Sequence, residues 1–285
     1  MSIRHQPWSI DAMQGVAAYK GINIATESFG NPSHPPVILL HGGGQTRHSW
    51  GAAAQTLAEN GFYAQVADLR GHGDSDWSAE GEYALEHFAQ DVDALVRRMP
   101  AKPVLVGASL GGLASLVASS RFCAGLVRAL VLVDVVPKVN PEGVEQITGF
   151  MRASPDGFAS LKEASELIAE YIPHRKRQTN YEGLKKNLRL AENGRYFWHW
   201  DPQVLTVGDP QNALENLERD ARSITIPTLL VRGGRSNIVD DDGAEHFRKL
   251  IPHAEHISIA KSGHMVAGDD NTQFNTAILD FLNRI

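Results

Sequence analysis

The sequence predicts an α/β fold: a mostly parallel sheet with helices on both faces and a helical segment inserted between two of its strands. Short β-branched and aliphatic runs recur between turn residues, which is the pattern of strands buried on both faces. Amphipathic stretches alternate with most of these runs, as crossover connections in a parallel sheet require. Residues 138–221 lack the apolar strand pattern altogether.

The first two runs, Val37-Ile38-Leu39-Leu40 and Val104-Leu105-Val106, both end in glycine-rich turns. The same pattern returns at 129–133, 228–231 and 257–259. A helix over 83–99 places Leu85, Phe88, Val92, Leu95 and Val96 on one face, and Pro100 stops it. The helix after residue 109 carries Leu113, Ala114, Leu116, Val117 and Ala118 with few polar positions, as a helix buried against a sheet does. Two further helices, over 242–250 and 272–282, follow, with Asp240-Asp241-Asp242 as a helix start. Between Val136-Pro137 and Ile226-Pro227 the chain holds polar helices and the cluster Tyr196-Phe197-Trp198-His199-Trp200. The organisation expected is therefore a core of 1–137 and 222–285, with 138–221 as a helical insertion.

Composition narrows the function. The chain has 285 residues, 42% hydrophobic and 21% charged, which excludes collagen-like and disordered classes. A net charge of −6 argues against a nucleic-acid surface, so a small-molecule substrate is the expected partner. The short basic run Arg175-Lys176-Arg177 reads as a solvated face. Cys123 is the only cysteine, so neither an intrachain disulfide nor a thiolate zinc site can be built, and a reducing compartment fits. Residues 1–10 lack the apolar stretch of a signal peptide, and no run is long enough to span a bilayer, so a cytoplasmic protein without membrane partners is expected.

Chemistry enters at Gly107-Ala108-Ser109-Leu110-Gly111, a GxSxG sequence between a strand and a helix. Such a turn holds its serine strained with Oγ exposed, and glycine two positions before and after avoids a clash of Cβ atoms. Three further motifs accompany it in order. They are His41-Gly42-Gly43-Gly44 after the first strand, Asp68-Leu69-Arg70-Gly71-His72-Gly73-Asp74-Ser75 after the next, and Ser262-Gly263-His264-Met265 near the end.

This set resembles the α/β-hydrolase superfamily, and it is similar to the branch containing cofactor-free haloperoxidases, small esterases and epoxide-hydrolase-like proteins. The resemblance implies the α/β-hydrolase fold, with the insertion folded over the site as a cap and no metal or organic cofactor. A serine hydroxyl needs a base and an orienting group. Ser109 is then the nucleophile and His264, one of 12 histidines, the base. The backbone N–H groups of Leu110 and Gly43 are the expected oxyanion donors. His41, Arg70 and His72 are expected to brace loops. Trp198 and Trp200, with Trp50 beyond the His41 loop, either line an apolar substrate pocket or pack the insertion on the core.

The acid departs from the family pattern. It usually follows the penultimate strand, where Gly233-Gly234-Arg235-Ser236-Asn237 offers an asparagine, and an amide cannot offset the charge of an imidazolium. Asp134, at the end of Leu132-Val133-Asp134, is the leading candidate. Asp240 or a neighbour is a second, and a third reading has no acid, with Asn237 only positioning His264.

The expected activity is cleavage of a small to medium carboxylic ester or lactone through an acyl-enzyme. Peroxide in place of water would give a perhydrolase side activity. The alternatives are a carbon–carbon bond hydrolase and a catalytically weakened ligand-binding protein of the same fold. A serine at 109 argues against epoxide or haloalkane hydrolysis, whose enzymes of this fold use an aspartate.

Overall fold

A computed structural model describes residues 14–171, 181–206, 210–264, 266 and 271–285. Eight strands form one sheet: β1 (Gln14–Ala17), β2 (Asn23–Phe29), β3 (Pro36–Leu40), β4 (Tyr63–Ala67), β5 (Val104–Ala108), β6 (Ala129–Val133), β9 (Thr228–Gly233) and β10 (Glu255–Ile259). A separate hairpin pairs β7 (Leu188–Leu190) with β8 (Tyr196–Trp198). The order across the sheet is β1-β2-β4-β3-β5-β6-β9-β10. From β4 to β10 every neighbour is parallel, while β1 and β2 add an antiparallel margin. The mostly parallel sheet expected from sequence is the one observed.

Period-two geometry sorts each strand's side chains onto opposite faces. Ile38, Leu40, Leu105, Leu130, Leu132 and Leu230 point into one core, with the apolar faces of α2 (Leu85–Arg97), α3 (Leu110–Val117) and α7 (Asp241–Leu250). Val37, Leu39, Val104, Val106, Val131, Val133, Leu229 and Val231 point the other way, onto α1 (Gly51–Glu59) and α8 (Asn271–Leu282). Both faces being covered explains why these strands read as unbroken apolar runs.

Helix ends follow their capping chemistry. Asp240 opens α7 by accepting the Gly243 N–H at 2.8 Å, so the acidic triplet is a helix start as expected. Helix α2 is shorter than the 83–99 expected. Tyr83 turns aside so that its hydroxyl donates to Asp201 at 2.6 Å and accepts the Ser78 N–H at 2.8 Å.

The inserted stretch contains α4 (Pro141–Arg152), α5 (Leu161–Tyr171), the β7-β8 hairpin and α6 (Pro210–Ser223). The hairpin was not expected of a helical segment. Helix α6 belongs with the sheet-covering layer: it packs on α3 and α7 and buries Leu217 and Ala221 in their core. Its buried Leu217 and Ala221, with Ile224 just past its end, are set in a largely charged sequence, which hides them among the polar helices. Among the described residues, no helix is long and apolar enough to cross a membrane. Residues 1–10 and the run Arg175-Lys176-Arg177 lie outside the described residues.

Candidate active site

Parallel strands bring their C-terminal ends to one edge of the sheet, and in open α/β sheets ligands bind there. Adjacent strands β3, β5, β6, β9 and β10 deliver, in that order, the His41 loop, Ser109, Asp134, Ser236 and the His264 loop.

Ser109 joins β5 to α3 with φ 45° and ψ −117°, a conformation rare for any residue but glycine. Its N–H donates to the Val133 carbonyl at 3.2 Å. The turn closes only over bare backbone. A Cβ on Gly107 would lie 2.4 Å from the Gly111 carbonyl oxygen, and one on Gly111 would lie 2.6 Å from the carbonyl oxygens of Leu40 and His41. Both glycines are required by contact, as the sequence predicted.

Asp134, likewise at positive φ (49°), follows β6 and is fully buried. Its Oδ2 lies 2.7 Å from Nδ1 of His264. The same oxygen accepts the Ser236 hydroxyl at 2.5 Å, and Oδ1 accepts the Gly233 N–H at 2.8 Å. An ionised carboxylate only accepts, so Nδ1 of His264 carries the proton and Nε2 presents its lone pair. Gly233 lets the His264 loop close on β9, since a Cβ there would lie 2.1 Å from the Gly263 carbonyl oxygen.

The other acid candidates face elsewhere. Asn237 donates from Nδ2 to Gln146 Oε1 of α4 at 2.6 Å, and Asp240 caps α7. Ser236 is the residue that sequence reasoning missed. Its signal lay in the loop already singled out for Asn237, one position earlier.

The loop after β3 rests on two buried neutral histidines. His41 donates from Nδ1 to the Gly42 carbonyl at 2.7 Å and accepts the Leu69 N–H on Nε2 at 3.0 Å. His72 donates from Nδ1 to the Arg70 carbonyl at 2.9 Å and accepts the Gly44 N–H on Nε2 at 3.1 Å. Burial pushes both imidazoles down. His72 falls to about 3, with His41 adding to the effect. Arg70 in turn grips Asp91 through Nε and Nη2 at 2.5 and 2.6 Å. These are the bracing contacts expected of His41, Arg70 and His72. Two apolar side chains border the loop: a Cβ built on Gly43 would lie 3.9 Å from Met151 Sδ and 4.0 Å from Leu110 Cδ2.

The family model described as alpha/beta hydrolase fold matches residues 35–270. The chain belongs to the α/β-hydrolase family. Among its relatives in that family is the esterase Rv0045c of Mycobacterium tuberculosis, 33% identical over 245 residues, covering 83% of this chain and 79% of the relative. A non-heme chloroperoxidase of Burkholderia pyrrocinia is 28% identical over 239 residues, covering 80% and 84%. The crystal structure of the M. tuberculosis esterase matches with a TM-score of 0.76 at 28% identity, covering 97% of this chain and 93% of that one. The structure of E-2-(acetamidomethylene)succinate hydrolase reaches a TM-score of 0.84 at 22% identity over 95% and 98%, a likeness of fold alone. This α/β hydrolase is an enzyme of the esterase-like kind.

The tryptophans of this hydrolase divide. Trp50 is not at the site. The turn Arg47–Trp50, which runs straight into α1, places the indole, 2% exposed, under the sheet and against Phe274 at 5.6 Å between ring centroids. Trp198 stacks on Trp200 at 4.7 Å and meets Phe158 and Phe150 at 5.1 and 5.6 Å. Trp200 also forms a backbone bridge with His72, so this pair ties the insertion to the loop behind Gly44. Cys123 is buried in the core, and its thiol is pushed up to about 12 by that burial. Met265 lies outside the described residues.

Proposed function

We propose that this chain is a serine esterase that cleaves small to medium carboxylic esters or lactones through an acyl-enzyme. Ser109 Oγ attacks the carbonyl carbon while His264 Nε2 takes its proton. The oxyanion is received by the N–H of Leu110, at the head of α3, and the N–H of Gly43. His264 then protonates the leaving alcohol oxygen, and the ester C–O bond breaks. Water enters, gives its proton to His264, attacks the acyl carbon, and the free acid leaves as Ser109 regains its proton. Asp134 holds His264 in the required tautomer and offsets its charge. The part of the insertion that carries α4, α5 and the hairpin acts as a cap, with Met151 facing the oxyanion loop.

The observation that carries this reading is the 2.7 Å contact of Asp134 with Nδ1 of His264, on the strand end next to the strained Ser109. It also weighs against a degenerate binding protein, because Asn237, which suggested one, is directed at Gln146 of α4. Ester chemistry is favoured by the 33% identity to an esterase. The test is labelling with a fluorophosphonate probe and turnover of p-nitrophenyl esters. Wild type should be labelled at Ser109 and active, while Ser109→Ala should be neither. Folded wild-type protein that resists the probe would sink the proposal.

A further inference from the structure

Ser236 sits in the loop after β9, and its hydroxyl has a complete set of partners. Its oxygen accepts the N–H groups of Ile238 at 3.0 Å and Val239 at 3.1 Å. Both lone pairs of a hydroxyl oxygen are then engaged, so its single proton has one direction left, toward Asp134 Oδ2 at 2.5 Å. That oxygen is also the one 2.7 Å from His264 Nδ1. Two amide dipoles thus polarise an O–H that bonds the very atom orienting the imidazole, at a fully buried carboxylate where such chains strengthen one another.

The loop is itself held in place. The Ile238 carbonyl accepts the Asn140 N–H at 2.8 Å, and a Cβ on Gly143 of α4 would lie 2.1 Å from the Asn237 carbonyl oxygen. Helix α4 therefore packs directly on the backbone that aims Ser236. Asn237 faces Gln146 from the same loop, so of the two neighbours it is Ser236 whose side chain turns to Asp134.

We propose that Ser236 is the positioning residue of the site: its oriented hydroxyl fixes the Asp134 carboxylate against His264 and tempers the charge that Asp134 offers the imidazolium. The proposal rests on the esterase reading for its kinetic effect, though not for its electrostatic one. Losing the hydroxyl leaves Asp134 a freer, more negative acceptor, which binds the protonated ring more tightly while orienting it less well. Ser236 Oγ lies 2.5 Å from the very oxygen that meets the ring, so a carboxylate introduced at 236 is the nearest replacement for that acceptor.

The test compares wild type, Ser236→Ala and Ser236→Thr, each first shown to be folded by circular dichroism and thermal melting. His264 is titrated by imidazole NMR, with His264→Gln identifying its signal, and ester turnover is measured in parallel. In Ser236→Ala the His264 titration should move to higher pH, and kcat should fall about tenfold or more with KM little changed, since hydrogen bonds to charged groups are worth about that factor. Ser236→Thr, which keeps the hydroxyl, should restore both. In the Asp134→Asn background, Ser236→Asp should recover part of the lost turnover. An unmoved His264 titration in folded Ser236→Ala overturns the proposal. A wild type that shows the titration shift against Ser236→Ala yet turns over no ester would overturn the esterase reading alone.

Discussion

Nε2 of His72 accepts the backbone N–H of Gly44, the residue after the proposed oxyanion donor Gly43. The bond exists only while the imidazole is neutral, because a protonated ring would point an N–H at an N–H. The folded protein therefore holds His72 well below an ordinary histidine, at about 3, through burial and the neighbouring His41. The unfolded chain binds its proton near pH 6.5, so the stability contributed by the neutral ring is fully present above that value. It is lost as pH falls from about 6.5 toward about 3, at up to about 1.4 kcal/mol per pH unit. His41, shifted the same way by burial, adds to the slope. Urea unfolding between pH 7 and pH 4 should show this loss, and His72→Gln should be less stable at pH 7 with a slope shallower by close to one proton. An unchanged slope would assign the acid sensitivity elsewhere.

Asp134→Asn should lower ester turnover by about 10⁴-fold, the scale seen when a triad aspartate becomes an amide and favours the wrong histidine tautomer. Asn237→Asp should leave turnover near wild type, since that side chain is directed at Gln146 of α4 and not at His264. Steady-state kinetics of the two variants decide the matter. A large gain in Asn237→Asp, or full activity in Asp134→Asn, would refute the assignment.

What could be read from sequence follows the range of the interactions. Ser109 was legible because a strained strand-to-helix turn has local requirements, and glycine at 107 and 111 meets them within five residues. His264 was legible from its place after the last strand. For the acid, sequence offered Asp134 only as the first of three readings, because Asp134 and His264 lie 130 positions apart, and sheet geometry alone selects which of two adjacent strand ends faces the ring. Strands β1 and β2 escaped notice for a different reason. Asn23–Phe29 mixes polar and small residues on an antiparallel margin, so it lacks the unbroken apolar run that marks the central strands. The indole of Trp50 offers no local sign of its direction; the helical turn into α1 decides it.

Trp50→Ala should therefore act on stability and not on catalysis. The indole is buried against Phe274 among the residues of α1, α8 and the sheet, and removing so large a side chain from a core costs about 3–5 kcal/mol. Chemical denaturation should show that loss, while kcat/KM measured well below the melting temperature should stay close to wild type. Loss of activity in protein that remains folded would return Trp50 to the substrate site.

Met151 lies where the insertion meets the oxyanion loop, and the two effects of removing it can be separated. Its side chain is 7% exposed, and its Cε would be 3.1 Å from a Cβ built on Gly44, so the thioether fills the space over this turn. Truncation in Met151→Ala leaves a cavity there and should cost about 2–5 kcal/mol of stability, less if α4 settles inward. The same cavity opens beside Gly43 and Leu110, where the substrate carbonyl is expected to bind, and each methylene accommodated in an apolar pocket is worth about 1–3 kcal/mol. The ratio of kcat/KM for p-nitrophenyl octanoate over acetate should therefore rise at least several-fold, with fluorophosphonate labelling of Ser109 retained because the proposed nucleophile, acid and base are untouched. Met151→Leu, which keeps most of the volume, should show neither change. A fall in both esters by the same factor would mean that Met151 holds the loop in shape and does not select the substrate.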